Sequence, residues 1–254
     1  MAEISVNTDS IFVLCILFIA GLTRGFAGFG SGMIFIPAAA TVMPPALVAT
    51  LFLLLDSLIT LPLIKTAYQS FEAKTVFYVF VGAIPTVFLG NYILSISNPV
   101  AVRWAVSLIV LALVMLLVSG WTYKKHPKPM ASYAVGLTSG FLSGLCQMSG
   151  PPVVSFWLSG PNEPQTIRAN LIIYFALTSC IAIVSFWLNN LFTAELIPLL
   201  TLGIPVYALS LYLGSKCFRF APPKIYKGIA LTIIMITGIT SLPVVDGYLQ
   251  YLRI

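Results

Sequence analysis

Six long apolar runs dominate this chain, at residues 46–64, 76–96, 100–121, 169–188, 196–215 and 228–245. Each is about 18–22 residues long, which at a helical rise of about 1.5 Å per residue crosses a hydrocarbon core of about 30 Å. In hydrocarbon no water competes for backbone N–H and C=O groups, so each run must close its hydrogen bonds within itself, as a helix. Composition agrees: 8% of the 254 residues are charged and 59% are hydrophobic, whereas a soluble domain is about 25% charged. Little chain remains for a soluble domain. The sequence reads as an all-α polytopic membrane protein.

Four further apolar runs, at 11–23, 33–43, 133–146 and 151–159, are too short to cross. They form two pairs. The first pair is joined by Gly25-Phe26-Ala27-Gly28-Phe29-Gly30-Ser31-Gly32, the second by Gly144-Leu145-Cys146-Gln147-Met148-Ser149-Gly150-Pro151-Pro152. Such pairs read as broken or re-entrant half-helices, whose irregular backbone survives at membrane depth only where protein or a water-filled cavity covers it.

The chain also repeats itself. Gly21-Leu22-Thr23-Arg24-Gly25-Phe26 returns as Gly136-Leu137-Thr138-Ser139-Gly140-Phe141, Pro44–Leu51 aligns with Pro164–Leu171, and Pro85 aligns with Pro205. The ordered set divides the chain into an N-terminal transmembrane repeat (1–123), a basic cytoplasmic linker (124–131) and a C-terminal transmembrane repeat (132–254). Each repeat holds one short pair and three full spans.

Charge orients the repeats. With eight spans, Lys65, Lys74, Lys124, Lys125, Lys128 and Arg253 fall on one side and Arg103, Arg168, Lys216, Arg219, Lys224 and Lys227 on the other, an even split. With three spans per half and inverted repeats, all of these except Arg103 and Arg253 gather on one side. The positive-inside rule favours the inverted arrangement over the eight-span alternative. Both termini then lie outside, and the basic loops 65–74, 124–128 and 216–227 are cytoplasmic. The formal charge of +6 is this cytoplasmic excess rather than a nucleic-acid signal. Cys15, Cys146, Cys180 and Cys217 lack metal-binding spacing, and the single His126 lies in the basic loop. The sequence therefore suggests no metal site. No Walker motif and no Ser–His–Asp set is present either, so neither an enzyme nor a cofactor is expected.

Several of these segments carry a family likeness. Gly25–Gly32 with the following Ile34-Phe35-Ile36-Pro37, Ser149-Gly150-Pro151-Pro152-Val153-Val154, Arg168-Ala169-Asn170-Leu171 and Tyr174-Phe175 together resemble the sulfite exporter TauE/SafE family over nearly the whole chain. The resemblance implies a plasma (inner) membrane permease for sulfite, organosulfonates or related small organic anions.

Broken helices in a duplicated membrane fold point to a transporter's binding site. Half-helices beginning near Gly32 and near Pro151 would aim uncapped N–H groups and a positive dipole end at an anion, with Ser149 placed to cap the second. Substrate is expected between the two glycine turns. The candidate contacts are Gly28, Gly30, Ser31 and Gly32 in the first turn and Gln147, Ser149 and Gly150 in the second. Thr50 and Asn170, at matching repeat positions, either face the same cavity or bond helix to helix. Gly21, Gly25, Gly136 and Gly140 have the spacing of helix-packing residues. Arg24 reads as an anion ligand, an interface anchor or a structural partner. Asp56, deep in its span, reads as a proton-coupling group or as the counter-charge of Arg24. Arg168 reads as an interface anchor. These features suggest alternating-access transport coupled to H⁺ or to the membrane potential, with a small-anion channel as the alternative. The partners are then a small-molecule anion and the lipid bilayer, with a homodimer as one assembly state.

Overall fold

The computed structural model describes residues 8–120, 128–158, 163–217 and 223–245. Lys124, Lys125 and His126 of the basic linker, and Arg219, lie outside them. The described residues form helices: α1 (Thr8–Ala27), α2 (Ser31–Ala39), α3 (Pro45–Ala67), α4 (Ala73–Ile96), α5 (Pro99–Val118), α6 (Pro129–Cys146), α7 (Gly150–Trp157), α8 (Pro164–Leu188), α9 (Leu196–Cys217) and α10 (Pro223–Thr240). Of these, α3, α5, α6, α8 and α10 begin on proline. At a first helical position its missing N–H is no loss, and its fixed φ already suits the helix.

Six helices, α1, α3, α4, α5, α8 and α9, are long and apolar enough to cross a membrane. Membership differs from the sequence expectation at two places. The first short run, 11–23, lies inside a 20-residue helix, because Thr8, Asp9 and Ser10 before it and Arg24 after it are also helical. The run at 228–245 ends sooner, with α10 stopping at Thr240 and its described apolar part covering Gly228–Thr240. The two half-helices are short, as expected: α2 has 9 residues and α7 has 8. Large apolar side chains such as Leu61, Phe77, Leu108, Met115 and Trp187 are exposed, a surface suited to lipid.

The chain divides into two compact units, and each combines segments distant in sequence. The first comprises Met1–Phe52, Ser97–Met115 and Thr193–Ile254. Here α1 packs on α9 and on α2, and α2 packs on α10. Gly21 faces Tyr207 and Ser210, Gly25 faces the Leu211 carbonyl, and Gly214 faces the Leu22 carbonyl. Both helices advance in the same direction through these contacts. All nine residues of α2 are buried.

The second unit comprises Leu53–Ile96 and Leu116–Phe192. Here α6 packs on α4 through a longer face of the same kind. Gly136, Gly140 and Gly144 lie on the carbonyls of Val79, Ala83 and Val87, while Gly82 and Gly90 lie on those of Tyr133 and Phe141. Small residues at i and i+4 let two backbones approach where the bilayer offers no hydrophobic force between helices, so close contact does the work. Pro85 and Pro205 interrupt α4 and α9. Next to Pro85, the Thr86 hydroxyl turns back to the Ala83 carbonyl of its own helix at 3.1 Å.

A side chain at Gly140 would place its Cβ 2.5 Å from both the Ala83 carbonyl oxygen and Thr86 Oγ1. Gly140→Val is therefore expected to destabilise the protein by about 3 kcal/mol, the upper end for overpacking. Thermal unfolding in detergent reads this out, and an unchanged melting temperature would contradict the packing account.

Candidate functional site: two uncapped half-helix starts

In the first unit the chain leaves α1 through Gly28 and Gly30, both in the left-handed region at φ +79° and +96°. A Cβ on Gly28 would meet nothing within 4 Å, and one on Gly30 only Ile234 Cδ1 at 3.8 Å. These two glycines therefore do not serve close packing, unlike Gly21 and Gly25. They serve a backbone turn that L side chains adopt only with strain, and they leave open space beside it. Gly30 occupies the N-cap of α2, and no side chain caps the helix. The Met33 N–H turns back to the Gly30 carbonyl at 3.1 Å. The dipole end of α2 thus begins on Ser31 and Gly32, both buried, with no carboxylate in its first turn.

Tyr207 of α9 holds this start in place. Its fully buried ring passes over Gly21, where a Cβ would lie 2.9 Å from Cδ2, and stands edge-on to Phe52 at 6.3 Å. Its hydroxyl donates to Ser31 Oγ at 3.0 Å, and Arg24 Nη1 donates to the same hydroxyl at 3.5 Å. The half-buried Arg24 is thereby linked through Tyr207 to the first residue of α2. Thr50, fully buried on α3, donates its hydroxyl to the Ala46 carbonyl of its own helix at 2.8 Å.

The second unit builds its start differently. Helix α6 ends on Gln147, itself left-handed at φ 53°. The Gln147 N–H bonds the Ser143 carbonyl at 3.1 Å, the αL closure of a helix end, and the Met148 N–H bonds the Leu142 carbonyl at 3.2 Å. Glycine is usual there. Gln147 instead closes the turn with its side chain, Nε2 donating to the Ser143 carbonyl at 2.8 Å. Ser149 does occupy the N-cap of α7, but its hydroxyl makes no capping bond. The reason is local: Pro151 and Pro152 fill the second and third helical positions, where a cap would find its amides. The expected row of free N–H groups shrinks accordingly to Ser149 and Gly150. The Ser149 carbonyl instead accepts from Ser139 Oγ at 2.7 Å, and Ser139 Oγ accepts from the buried Tyr174 hydroxyl at 2.8 Å.

Asn170, also fully buried, accepts the Glu72 N–H on Oδ1 at 2.7 Å and so caps the start of α4. The bond joins α8 to the residue that precedes α4. Asp56 lies half-buried on α3, and Arg168 is exposed near the start of α8, where an interface anchor belongs.

The comparisons with known proteins can be set against this geometry. The sulfite exporter TauE/SafE family profile matches residues 13–241. The chain belongs to this family. A probable sulfite/organosulfonate exporter TauE from Cupriavidus necator is 29% identical over 209 residues, covering 77% of this chain and 78% of that protein. No solved structure matches the chain significantly. The TauE/SafE assignment makes this a multi-pass transporter of the plasma membrane, not an enzyme.

The two tyrosines are the residues that sequence reasoning missed at the site. Tyr207 follows the Gly203-Ile204-Pro205 turn of α9, and Tyr174 lies in the stretch after Asn170, so both had neighbours already of interest. A buried tyrosine needs a partner for its hydroxyl, but which partner depends on packing between distant segments. Tyr207→Phe removes the bonds to Ser31 and Arg24 while keeping the ring. It is expected to cost roughly 1–2 kcal/mol in stability and to slow transport. A variant with wild-type melting temperature and wild-type flux would contradict the role given to Tyr207.

Proposed function

We propose that this chain is a secondary-active transporter of a small oxyanion, either sulfite, an organosulfonate or a related small organic acid, working by alternating access. The observation that carries the reading is the pair of uncapped half-helix starts: Gly30-Ser31-Gly32 in one unit and Ser149-Gly150 in the other. Such starts attract anions through N–H groups and the helix dipole without a full positive charge. That allows an anion to be held and released rather than trapped. The name of the Cupriavidus necator relative supports the sulfur-anion class.

In this reading Gly28 and Gly30 permit a substrate to approach the backbone at the first start, where Ser31 donates to its oxygens, and at the second start Ser149 and the remaining amide N–H of Gln147 do so. Thr50 on α3 belongs to the same proposed lining, its hydroxyl hydrogen being given to the Ala46 carbonyl of its own helix. Arg24, held by Tyr207, supplies a positive charge beside its unit's start. The inverted arrangement of the two repeats, favoured by the Lys/Arg distribution, accounts for alternation by exchange of equivalent conformations. Driving force comes from H⁺ carried on Asp56 or from the membrane potential acting on the anion.

Proteoliposomes loaded with sulfite or methanesulfonate test the reading. Gly30→Leu and Ser149→Leu are expected to abolish saturable transport and counterflow while folded protein remains in the membrane. Wild-type kinetics in both would overturn the site, and flux without saturation or counterflow in the unmutated protein would favour a channel. Asp56→Asn separates the couplings: loss of pH dependence assigns H⁺, and retained pH dependence removes Asp56 from that role.

A further inference from the structure

Each unit carries a hydrogen-bond relay from a buried tyrosine to its break, and the two relays end differently. In the second unit the Tyr174 hydroxyl donates to Ser139 Oγ at 2.8 Å, and Ser139 Oγ donates to the Ser149 carbonyl at 2.7 Å. Both hydroxyl hydrogens on this path are delivered to acceptors inside the protein. The relay braces the break and presents no hydrogen to a ligand.

In the first unit the direction is set from the other end. A guanidinium has no lone pair to offer, so Arg24 Nη1 donates and the Tyr207 oxygen accepts, at 3.5 Å. The Tyr207 hydrogen goes to Ser31 Oγ at 3.0 Å. Ser31 thus receives a hydrogen from Tyr207 and must place its own elsewhere, yet no acceptor for it is found among the described residues. Serines and threonines inside a helix commonly return that hydrogen to the carbonyl four residues earlier, as Thr50, Ser57 and Thr60 do in α3. Ser31 is the first residue of α2, so its own helix holds no such carbonyl.

Ser31 is only 2% exposed, and buried hydroxyl groups are seldom left short of a partner. As the first helical residue it also carries a backbone N–H with no partner inside the helix. The turn that leads into it has room: a Cβ on Gly28 would meet nothing within 4 Å, and one on Gly30 only Ile234 Cδ1 at 3.8 Å. One residue therefore brings two hydrogens, from amide and hydroxyl, to a turn with open space beside it.

We propose that Tyr207 is a positioning residue for the substrate anion: by giving its hydrogen to Ser31 Oγ it commits the Ser31 hydroxyl to donate. The first start is thereby dedicated to ligand atoms that bring lone pairs, as a sulfite or sulfonate oxygen does. The inference rests on the transport reading above and deepens it. Tyr207 acts through Ser31 rather than by touching the anion. In Tyr207→Phe the ring stays, but the Ser31 hydroxyl is released to turn either way.

A double-mutant cycle on the full-length protein in proteoliposomes, with methanesulfonate as the probe, tests this. Ser31→Ala is expected to raise KM roughly tenfold with Vmax kept, as for one hydrogen bond to a charged group. Tyr207→Phe alone is expected to raise KM roughly fivefold, as for one neutral hydrogen bond. In the Ser31→Ala background, Tyr207→Phe is expected to change KM by less than about twofold, because no hydroxyl is left to orient. Melting temperatures without ligand read any stability effect separately. If Ser31→Ala does not fold, Ser31→Cys takes its place in the cycle; its thiol is a weak donor, and the factor for Tyr207→Phe is again expected to shrink. Equal KM factors for Tyr207→Phe in both backgrounds overturn the proposal, as does a Tyr207→Phe protein whose melting temperature falls while its KM stays at the wild-type value. A wild type without saturable transport of either methanesulfonate or sulfite overturns the transport reading itself, so the two failures are distinguishable.

Discussion

A helix that stops inside hydrocarbon leaves backbone N–H groups with neither water nor a next turn to satisfy them. This protein has two half-helix starts, at Ser31 and at Gly150, that no side chain caps. The chain surrounds them with protein: α2 is buried along its whole length, and most of α7 is buried as well. That enclosure needs neighbouring helices at very short range. Glycine faces provide it, α1 against α9 in one unit and α6 against α4 in the other. Close packing and open turns thus use the same residue type for opposite ends. At Gly136, Gly140 and Gly144 no side chain fits, whereas at Gly28 there is room for one but the backbone disfavours it.

The two units solve the same problem with related parts and different chemistry. In each, a buried tyrosine hydroxyl is linked to the break, directly to Ser31 in one and by way of Ser139 in the other, and position four of the Gly-Leu-Thr-x-Gly-Phe segment takes part. That position is Arg24 in the first unit, which reaches Tyr207 and through it Ser31. It is Ser139 in the second, within α6, which accepts from Tyr174 and itself carries the link to the break by donating to the Ser149 carbonyl. One start therefore carries a guanidinium and a run of amide-bearing residues; the other has two prolines and fewer amides. In the proposed transport cycle such inequality would make one unit the stronger electrostatic attractor and the other the finer reader of shape and donor geometry.

Much of the architecture was legible in the sequence because lipid restricts a chain so severely. Run length alone identified the spanning helices α3, α4, α5, α8 and α9, and glycine clusters marked both breaks. Spacing also separated the packing glycines Gly21, Gly25, Gly136 and Gly140 from the turn glycines. Other features were hidden for physical reasons. Polar residues at the ends of 11–23 hid the full length of α1, since helix formation does not stop where hydrophobicity does. Ser149 had the chemistry of a cap, but the adjacent prolines removed the amides it would have served. The contacts of Tyr207, Tyr174 and Asn170 depend on which distant segment lies opposite. No local pattern reports that α9 returns to α1 or that α4 lies on α6.

The central claim is that the uncapped half-helix starts hold the oxyanion. Diffraction from crystals of the protein soaked with selenite, the selenium analogue of sulfite, tests it most directly, because selenium's anomalous signal locates the anion independently of any assumed pose. The account expects a single strong peak within hydrogen-bonding reach of the amides or hydroxyls at Ser31–Gly32 or Ser149–Gly150. A well-occupied peak remote from both starts, or no peak at selenite concentrations that inhibit transport, would contradict it.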